Sequence, residues 1–465
     1  MASFATLGRG ARIAIGLGIA LLVTGVLASL TSLASPALAT AGITTLCAAW
    51  WILEPIPIAA TSIIPFAAFP LLNVTTHKEV AGAYGHHLIL LLMGGFVLSR
   101  AVETVGAHRR IALEMVRLTG GGSRNVVLGF MMASALCSMW ISNTATALML
   151  LPVAIAVLDQ SDDERLAVPL LLGIAYAASI GGVGTLIGTP PNVFFASFYS
   201  DNVGREYGFL EWMKIGIPIV VLMLPLAWLF LTRNLKGDAQ DRKPLVLPTL
   251  DAWTSAEVRV MSIFGCAAVL WMCRGVPLGG WSALIGAKGA GDSTVALMAV
   301  LALFLVPDNK GKPLMTWKEA ESIPWGLLLL FGGGIAIAKA FKSSGLDVVV
   351  GNELAAIAGA PLYLVVGVIC LSVTFLTEVV SNTATTTLLM PLLFAAASAA
   401  GVLPESLLIP AALSASCAFM LPVATAPNAI VFGTGRVPST TMLREGFVLN
   451  ILGVVIISVA CLILL

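Results

Sequence analysis

Apolar runs long enough to cross a bilayer recur along almost the whole chain, and short segments between them carry most of its Lys, Arg, Asp and Glu. The runs predict membrane helices near 13–30, 38–53, 56–73, 87–105, 166–200, 212–232, 256–273, 293–306, 325–341, 405–435 and 446–465. Two further apolar stretches, 126–158 and 361–399, are too long for one crossing and short for two. Each is interrupted near its middle by a polar Ser-Asn-Thr, which predicts a re-entrant hairpin that enters and leaves on one side. Arg9 and Arg12, the apolar run and Ala37-Leu38-Ala39 imitate a secretory signal and its cleavage site; the segment is read as the first membrane helix.

Charge fixes an orientation. With the N-terminus inside, 18 of the 25 Lys and Arg fall on the cytoplasmic side, among them Arg109, Arg110, Arg242, Lys243 and Lys318. Seven fall outside: Lys78, Arg205, Lys214, Arg274, Lys288, Lys339 and Lys342. Counting either hairpin as a full crossing would send the downstream charges to the wrong side. The expectation is an all-α polytopic membrane protein with eleven crossings and two hairpins, its C-terminus outside. That places it in the cell membrane, the inner membrane in a bacterium.

Composition agrees. Hydrophobic residues make up 58% of the 465 and charged residues 11%, which leaves too few charges to wet a soluble surface. Net charge is +1 with no basic block, so nucleic acid is not an expected partner. The seven cysteines lie mostly in apolar runs without metal spacing, and the four histidines form no ligand set. The adjacent His86 and His87 read as polar rim residues.

The two halves of the chain resemble each other. SNTATALMLLP at 142–152 matches SNTATTTLLMP at 381–391, LLLMGG at 90–95 matches LLLLFGG at 327–333, and GTPPN at 188–192 matches ATAPN at 424–428. Each copy holds five crossings and one hairpin. Five is odd, so the second copy enters the membrane from the opposite face, the inverted repeat of secondary transporters. The expected organisation is an N-terminal helix at 1–37, a first repeat at 38–233 whose hairpin opens to the cytoplasm, a cytoplasmic linker at 234–255, and a second repeat at 256–465 whose hairpin opens outside.

The chemistry lies at the tips and at the Pro-Asn motifs. Ser, Asn and Thr in hydrocarbon are costly unless paired, and their neutral oxygens, with carbonyls freed at a helix break, suit a hard monovalent cation. The Asn amide, the Thr hydroxyl and the N–H groups of a helix start suit an anion. The prolines of GTPPN and the neighbouring Gly181, Gly182, Gly184 and Gly188 predict an unwound segment in the helix near 166–200, and ATAPN predicts the same in 405–435. Neither tip nor break holds a Lys or Arg, so a bound cation would have to offset the charge of an anionic solute. Obligate exchange is the competing arrangement. Glu378, three residues before Ser381, is the most membrane-central acid, a candidate for a direct ion or substrate role; the plainer reading is a structural contact at the hairpin base.

On both Ser-Asn-Thr motifs, both Pro-Asn breaks and the eleven-crossing, two-hairpin layout, the sequence resembles the divalent anion–sodium symporter family, the INDY-type di- and tricarboxylate transporters, over residues 13–465. The resemblance implies a homodimer in the lipid bilayer, with a scaffold part and a part that carries the site across as an elevator. It implies sodium as the coupling ion, held at one site by Ser138, Ser142, Asn143 and the Gly188 region. A second site uses Thr377, Val380, Asn382 and Ala424. It implies that substrate carboxylates meet Asn143, Thr144 and Thr189 from one repeat, and Asn382, Thr383 and Thr425 from the other. Ala426 departs from the pair of prolines common at this place in the family.

The function expected from these residues is sodium-coupled transport of C4-dicarboxylates such as succinate, malate and fumarate, with citrate a further candidate. Sodium-independent dicarboxylate exchange and sodium–sulfate symport are the alternatives within the family. A channel needs a continuous polar stripe along several helices, and polarity here is confined to tips and breaks. An enzyme needs a nucleophile–base pair or a metal set at mid-depth, and neither is present in the sequence.

Overall fold

The computed structural model describes residues 8–119, 122–161, 163–235, 252–275, 280–287, 289–354 and 360–465. Among these residues the chain is helical, with one isolated β-bridge between Pro307 and Pro313 and no strand. Among the described residues ten helical stretches are long and apolar enough to cross a membrane. Arg9–Leu30 shows what surrounds them: Leu21 and Leu30 are 72% and 78% exposed on a helix with no charge after Arg12. In water such a surface would drive association; hydrocarbon solvates it, while the helix satisfies its own backbone.

Both stretches with Ser-Asn-Thr at their centres are pairs of helices joined by a four-residue tip. The first pair is Ser123–Ser138 and Asn143–Gln160; the second is Leu362–Thr377 and Asn382–Ala400. The second arm of each pair meets the length of a membrane span by itself. The apolar runs 166–200 and 405–435 are broken as their motifs predict. The first divides into Ala167–Gly182 and Pro190–Val203, the second into Glu405–Ala415 and Ala426–Phe432. Pro190, Pro191 and Pro427 fall in the first turn of the following helix, where no intrahelical partner awaits an N–H.

Three expectations need correction or extension. The run 56–73 is not one helix but two short ones, Ile58–Thr61 and Ile64–Leu71, because Pro65 opens a new first turn and interrupts the ladder. Ala107–Leu118 is a helix that an apolar-run reading misses. It buries Ala112, Leu113 and Val116 and carries Arg109, Arg110, Glu114 and Arg117 on a mixed polar surface. Leu346–Leu354 is a further short helix. Most of the linker expected at 234–255, including Arg242 and Lys243, lies outside the described residues.

The helices sort into two packing groups, and each half of the chain contributes to both. Those from Arg9 to Thr104 pack mainly with one another and with those from Ser255 to Ser344; those from Ala107 to Leu231 pack mainly with one another and with those from Leu362 to Leu464, Ala107–Leu118 lying against the hairpin arm Ser123–Ser138. In the second group hairpin and broken helix approach to backbone contact. A Cβ added at Gly181 would lie 2.2 Å from the carbonyl oxygen of Ala135. Only glycine permits that approach.

Candidate functional site

Each tip begins a helix. Ser142 is the N-cap of Asn143–Gln160, its hydroxyl accepting from the Ala145 amide at 3.2 Å, and Ser381 is the N-cap of Asn382–Ala400. Each break begins one too: Thr189 caps Pro190–Val203, and Thr425 caps Ala426–Phe432, accepting from the Asn428 amide at 3.2 Å. The helices before these motifs end at Ser138, Gly182, Thr377 and Ala415. Four helix starts and four helix ends therefore meet at two tips and two breaks.

The side chains repeat the pseudo-symmetry in detail. Ser138 Oγ donates to Asn143 Oδ1 at 2.5 Å, and Thr377 Oγ1 donates to Asn382 Oδ1 at 2.7 Å. Thr377 Oγ1 also lies 2.9 Å from the Ala415 carbonyl oxygen. Asn192 Nδ2 donates to the Gly182 and Thr185 carbonyls at 3.0 and 2.8 Å; Asn428 Nδ2 donates to those of Ala418 and Leu421, both at 3.1 Å. Each of these amides bridges the ends of its own unwound loop and holds it open against re-forming a helix. The loops stay polar inside a buried region because side chains satisfy them.

Between the tips and breaks lies a cavity of about 610 Å3. All six residues expected at the substrate line it: Asn143, Thr144, Thr189, Asn382, Thr383 and Thr425. So do Ser142, Gly188, Val380 and Ala424 of the expected cation sites. Ser138 and Thr377 do not reach it; they stand behind Asn143 and Asn382 and orient them. The other packing group supplies Leu92, Gly95, Phe96 and Ser99, with Glu54, Ser322 and Pro324 at one end. Close approach makes the first break: a Cβ at Gly182 would come 2.9 Å from Asn143 Oδ1, and one at Gly188 would come 2.4 Å from the Gly182 carbonyl.

The wall combines hydrogen-bond donors with neutral oxygens. The helix starts of the two tips present N–H groups and positive dipole ends at the wall, whereas Pro190 and Pro191 leave the first two positions of the first break's helix without an N–H. The helix ends behind them supply carbonyl oxygens. No Lys, Arg or His is among the described lining residues, whose only ionisable side chains are Glu54 and Glu378. A carboxylate solute here would meet hydrogen-bond donors but no cationic side chain among the described residues, so its countercharge would have to come from a cation held among the neutral oxygens.

Residues outside the expected ligand set also shape the site. Asn192 and Asn428 belong to the Pro-Asn motifs but act on their own loops; a helix-breaking proline followed by a buried amide was the available signal. Glu378 makes the contact of the plainer reading, to the backbone of the second break and to Asn450. Asn450, in the last helix, had no sequence signal. Trp140, in the first tip, lines the cavity and stacks on Phe209, which stacks in turn on Trp271 of the other packing group.

Comparison with known proteins gives three findings. A family model described as a citrate transporter (CitMHS) matches residues 48–406. The chain is 38% identical over 432 residues to the sodium-dependent dicarboxylate transporter SdcS of Staphylococcus saprophyticus, covering 88% of this chain and 82% of that protein. It is 37% identical over 431 residues to SdcS of Staphylococcus aureus, with the same coverage. The crystal structure of the Alcanivorax borkumensis YdaH transporter, described as having an unusual topology, superposes with a TM-score of 0.59 at 15% identity, over 82% of this chain and 86% of that one. The last likeness speaks to fold alone.

Proposed function

The chain belongs to the citrate transporter family, and from that premise we propose that it is a secondary transporter of C4-dicarboxylates, with citrate a further candidate, coupled to sodium. The observation that carries this is the meeting of both Ser-Asn-Thr tips and both Pro-Asn breaks at one cavity. The names of its relatives agree with sodium and dicarboxylate.

In this reading sodium enters two sites. Ser138, Ser142, Asn143 and the Gly188 carbonyl form one; Thr377, Val380, Asn382 and Ala424 form the other. Filling them fixes the tips, aligns the helix starts and offsets substrate charge, so the dicarboxylate binds well only after the cations. Its two carboxylates take amide and hydroxyl donors from Asn143, Thr144 and Thr189 on one side and from Asn382, Thr383 and Thr425 on the other.

The second packing group holds the site on two tips and two breaks. It is the part that moves in an elevator-type cycle, the first group being the scaffold and the surface of a homodimer. The positive-inside count puts the N-terminus in the cytoplasm and the hairpins on opposite sides. On that orientation Glu54, Ser322 and Pro324 mark a cavity open inward.

The test is uptake of labelled succinate into proteoliposomes, with sodium replaced by choline or potassium. Sodium-dependent accumulation is expected. Uptake that persists without sodium but needs internal dicarboxylate would replace symport with exchange. Strong competition by sulfate, and little by malate, would move the substrate class.

A further inference from the structure

The tip and the break of each repeat are tied at the same pair of positions, but in opposite chemical senses. In the first repeat the hydroxyl of Thr185, in the break, donates to the backbone carbonyl of Met139, in the tip. The pseudo-equivalent positions are Leu421 and Glu378. There the side chain belongs to the tip and the backbone to the break: Glu378 Oε2 accepts from the Leu421 amide at 3.0 Å, and Oε1 from the Phe419 and Met420 amides at 2.7 and 2.9 Å. Asn450 Nδ2 adds a fourth donor to Oε1 at 2.8 Å. Glu378 is 3% exposed, and every one of these partners is a donor, as a carboxylate requires.

The difference follows from the loops. The first break, VGTLIGT at 183–189, packs its glycines directly on its surroundings. The second, SCAFMLPVAT at 416–425, has no glycine of its own to seat it on its tip; its close backbone approach is to the last helix, where a Cβ on Gly446 would lie 2.2 Å from the Phe419 carbonyl oxygen. Its amides need a partner that reaches across the gap, and a carboxylate accepting three in succession is one. The hold passes on to the site. The Leu421 carbonyl accepts from the Ala424 amide at 3.1 Å and from Asn428 Nδ2, so fixing Leu421 fixes Ala424 and Thr425 at the cavity wall.

We propose that Glu378 is a positioning residue for the second cation site: although it stands at the cavity wall, its two carboxylate oxygens are taken up by the break and by Asn450, and it acts by setting the loop that carries Ala424 and Thr425. Resting on the sodium-coupled reading above, the proposal makes the two cation sites unequal in construction. The second depends on a tip carboxylate and the first does not.

The experiment measures sodium activation of succinate uptake in proteoliposomes for wild type, Glu378→Gln, Glu378→Met and Glu378→Met with Leu421→Thr. Gln keeps one oxygen acceptor but sets its carboxamide NH2 against amide donors, and Met offers only a weak sulfur acceptor. Both are expected to raise half-saturating sodium at least five-fold, with a smaller Hill coefficient, while succinate KM at saturating sodium stays within about two-fold. Leu421→Thr rebuilds the first repeat's hydroxyl-to-carbonyl tie and is expected to recover at least half of the lost sodium affinity. Asn450→Ala, which leaves the three amide contacts, is expected to give a milder shift in the same direction and serves if the Glu378 variants fail to fold. Sodium-dependent thermal stabilisation of the purified proteins supplies a readout independent of flux. A wild type without sodium response sinks the sodium-coupled reading and this inference with it. A sodium-responsive wild type beside Glu378 or Asn450 variants with unchanged sodium midpoints overturns the inference alone, as does uniform loss of maximal rate at unchanged sodium midpoint.

Discussion

Asn192 and Asn428 hold their loops in the same way: each side-chain amide donates to the carbonyls ten and seven residues before it, Gly182 and Thr185 in one repeat, Ala418 and Leu421 in the other. Both side chains are fully buried, and the bonds close a loop that would otherwise leave carbonyls unpaired in a low-dielectric interior. Asn192→Asp and Asn428→Asp keep the shape but replace donors with acceptors that face carbonyls. Each is expected to cut succinate uptake at least ten-fold with membrane insertion retained, read by transport per inserted protein. Uptake within two-fold of wild type for both would show that the bridges do not maintain the breaks.

Asn143 and Asn382 occupy the start of a helix, the wall of the cavity and the end of a hydroxyl bond from the preceding arm. Asn143→Ala and Asn382→Ala remove a donor to substrate and an oxygen for a cation together. Each is expected to abolish transport at normal membrane levels. Near-normal uptake by both would count heavily against the site.

Much of this arrangement is legible in sequence because the bilayer makes polarity expensive. A Ser-Asn-Thr in an apolar run must have a partner or a purpose, and its recurrence with a Pro-Asn motif downstream shows which residues meet. What is not legible is whatever depends on the third dimension alone. Asn450 reads as an ordinary polar residue in a long apolar helix until Glu378 and Phe419 are found beside it. Ala107–Leu118 is hidden by its charges, since a search for apolar runs discards a helix lying half in polar surroundings. The run 56–73 misleads in the other direction: it is apolar enough for a span, but its prolines divide it.

Gly181 and Gly188 test the packing beneath the first break. An added Cβ would meet backbone in both cases, at 2.2 Å from the Ala135 oxygen and at 2.4 Å from the Gly182 oxygen. Backbone cannot rotate away as a side-chain tip can, so the hairpin and the broken helix must separate. Gly181→Ala and Gly188→Ala are each expected to lower the unfolding temperature in detergent by several degrees, an effect of about 1–3 kcal/mol for overpacking. Gly25→Ala, with open space around it, is the control and is expected to leave it unchanged. Equal melting temperatures for all three would mean that the close approach carries no energy.

Acid offers a further handle at His108, on the amphipathic helix outside the membrane spans. Burial holds its pKa below the ordinary value, partly opposed by a bond between Nδ1 and the Val102 carbonyl at 3.1 Å. The unfolded chain therefore binds the proton more readily than the folded one. The stabilisation is complete above the ordinary histidine pKa of about 6.5 and is lost as pH falls through the depressed folded value. The melting temperature is expected to fall between pH 7.5 and pH 5.5, and to fall less in His108→Gln. Identical pH dependence in the two proteins would remove His108 from the account.

Apart from Arg110 and Glu257, which meet at 3.1 Å elsewhere, the acid–base contacts found between the two packing groups among the described residues gather at one end of the bundle, two of them with histidines that carry charge only when protonated. Asp201 meets His86 at 3.2 Å and Lys339 at 3.7 Å; Glu206 meets Arg274 at 2.7 Å and His87 at 3.7 Å. Both acids belong to the group with the tips and breaks, and all four bases to the other. Asp201 lies eleven residues beyond Pro190, about 16 Å along the helix from the cavity wall. Any sliding of one group past the other must break these contacts. Partly exposed pairs contribute at most about 1 kcal/mol each, so the set biases the arrangement without locking it. Asp201→Asn with Glu206→Gln is expected to speed hydrogen exchange of the 204–208 segment several-fold at low ionic strength, with less difference from wild type at 1 M salt, where screening already weakens the pairs. Exchange rates equal to wild type at low salt would show that apolar packing alone holds that end closed.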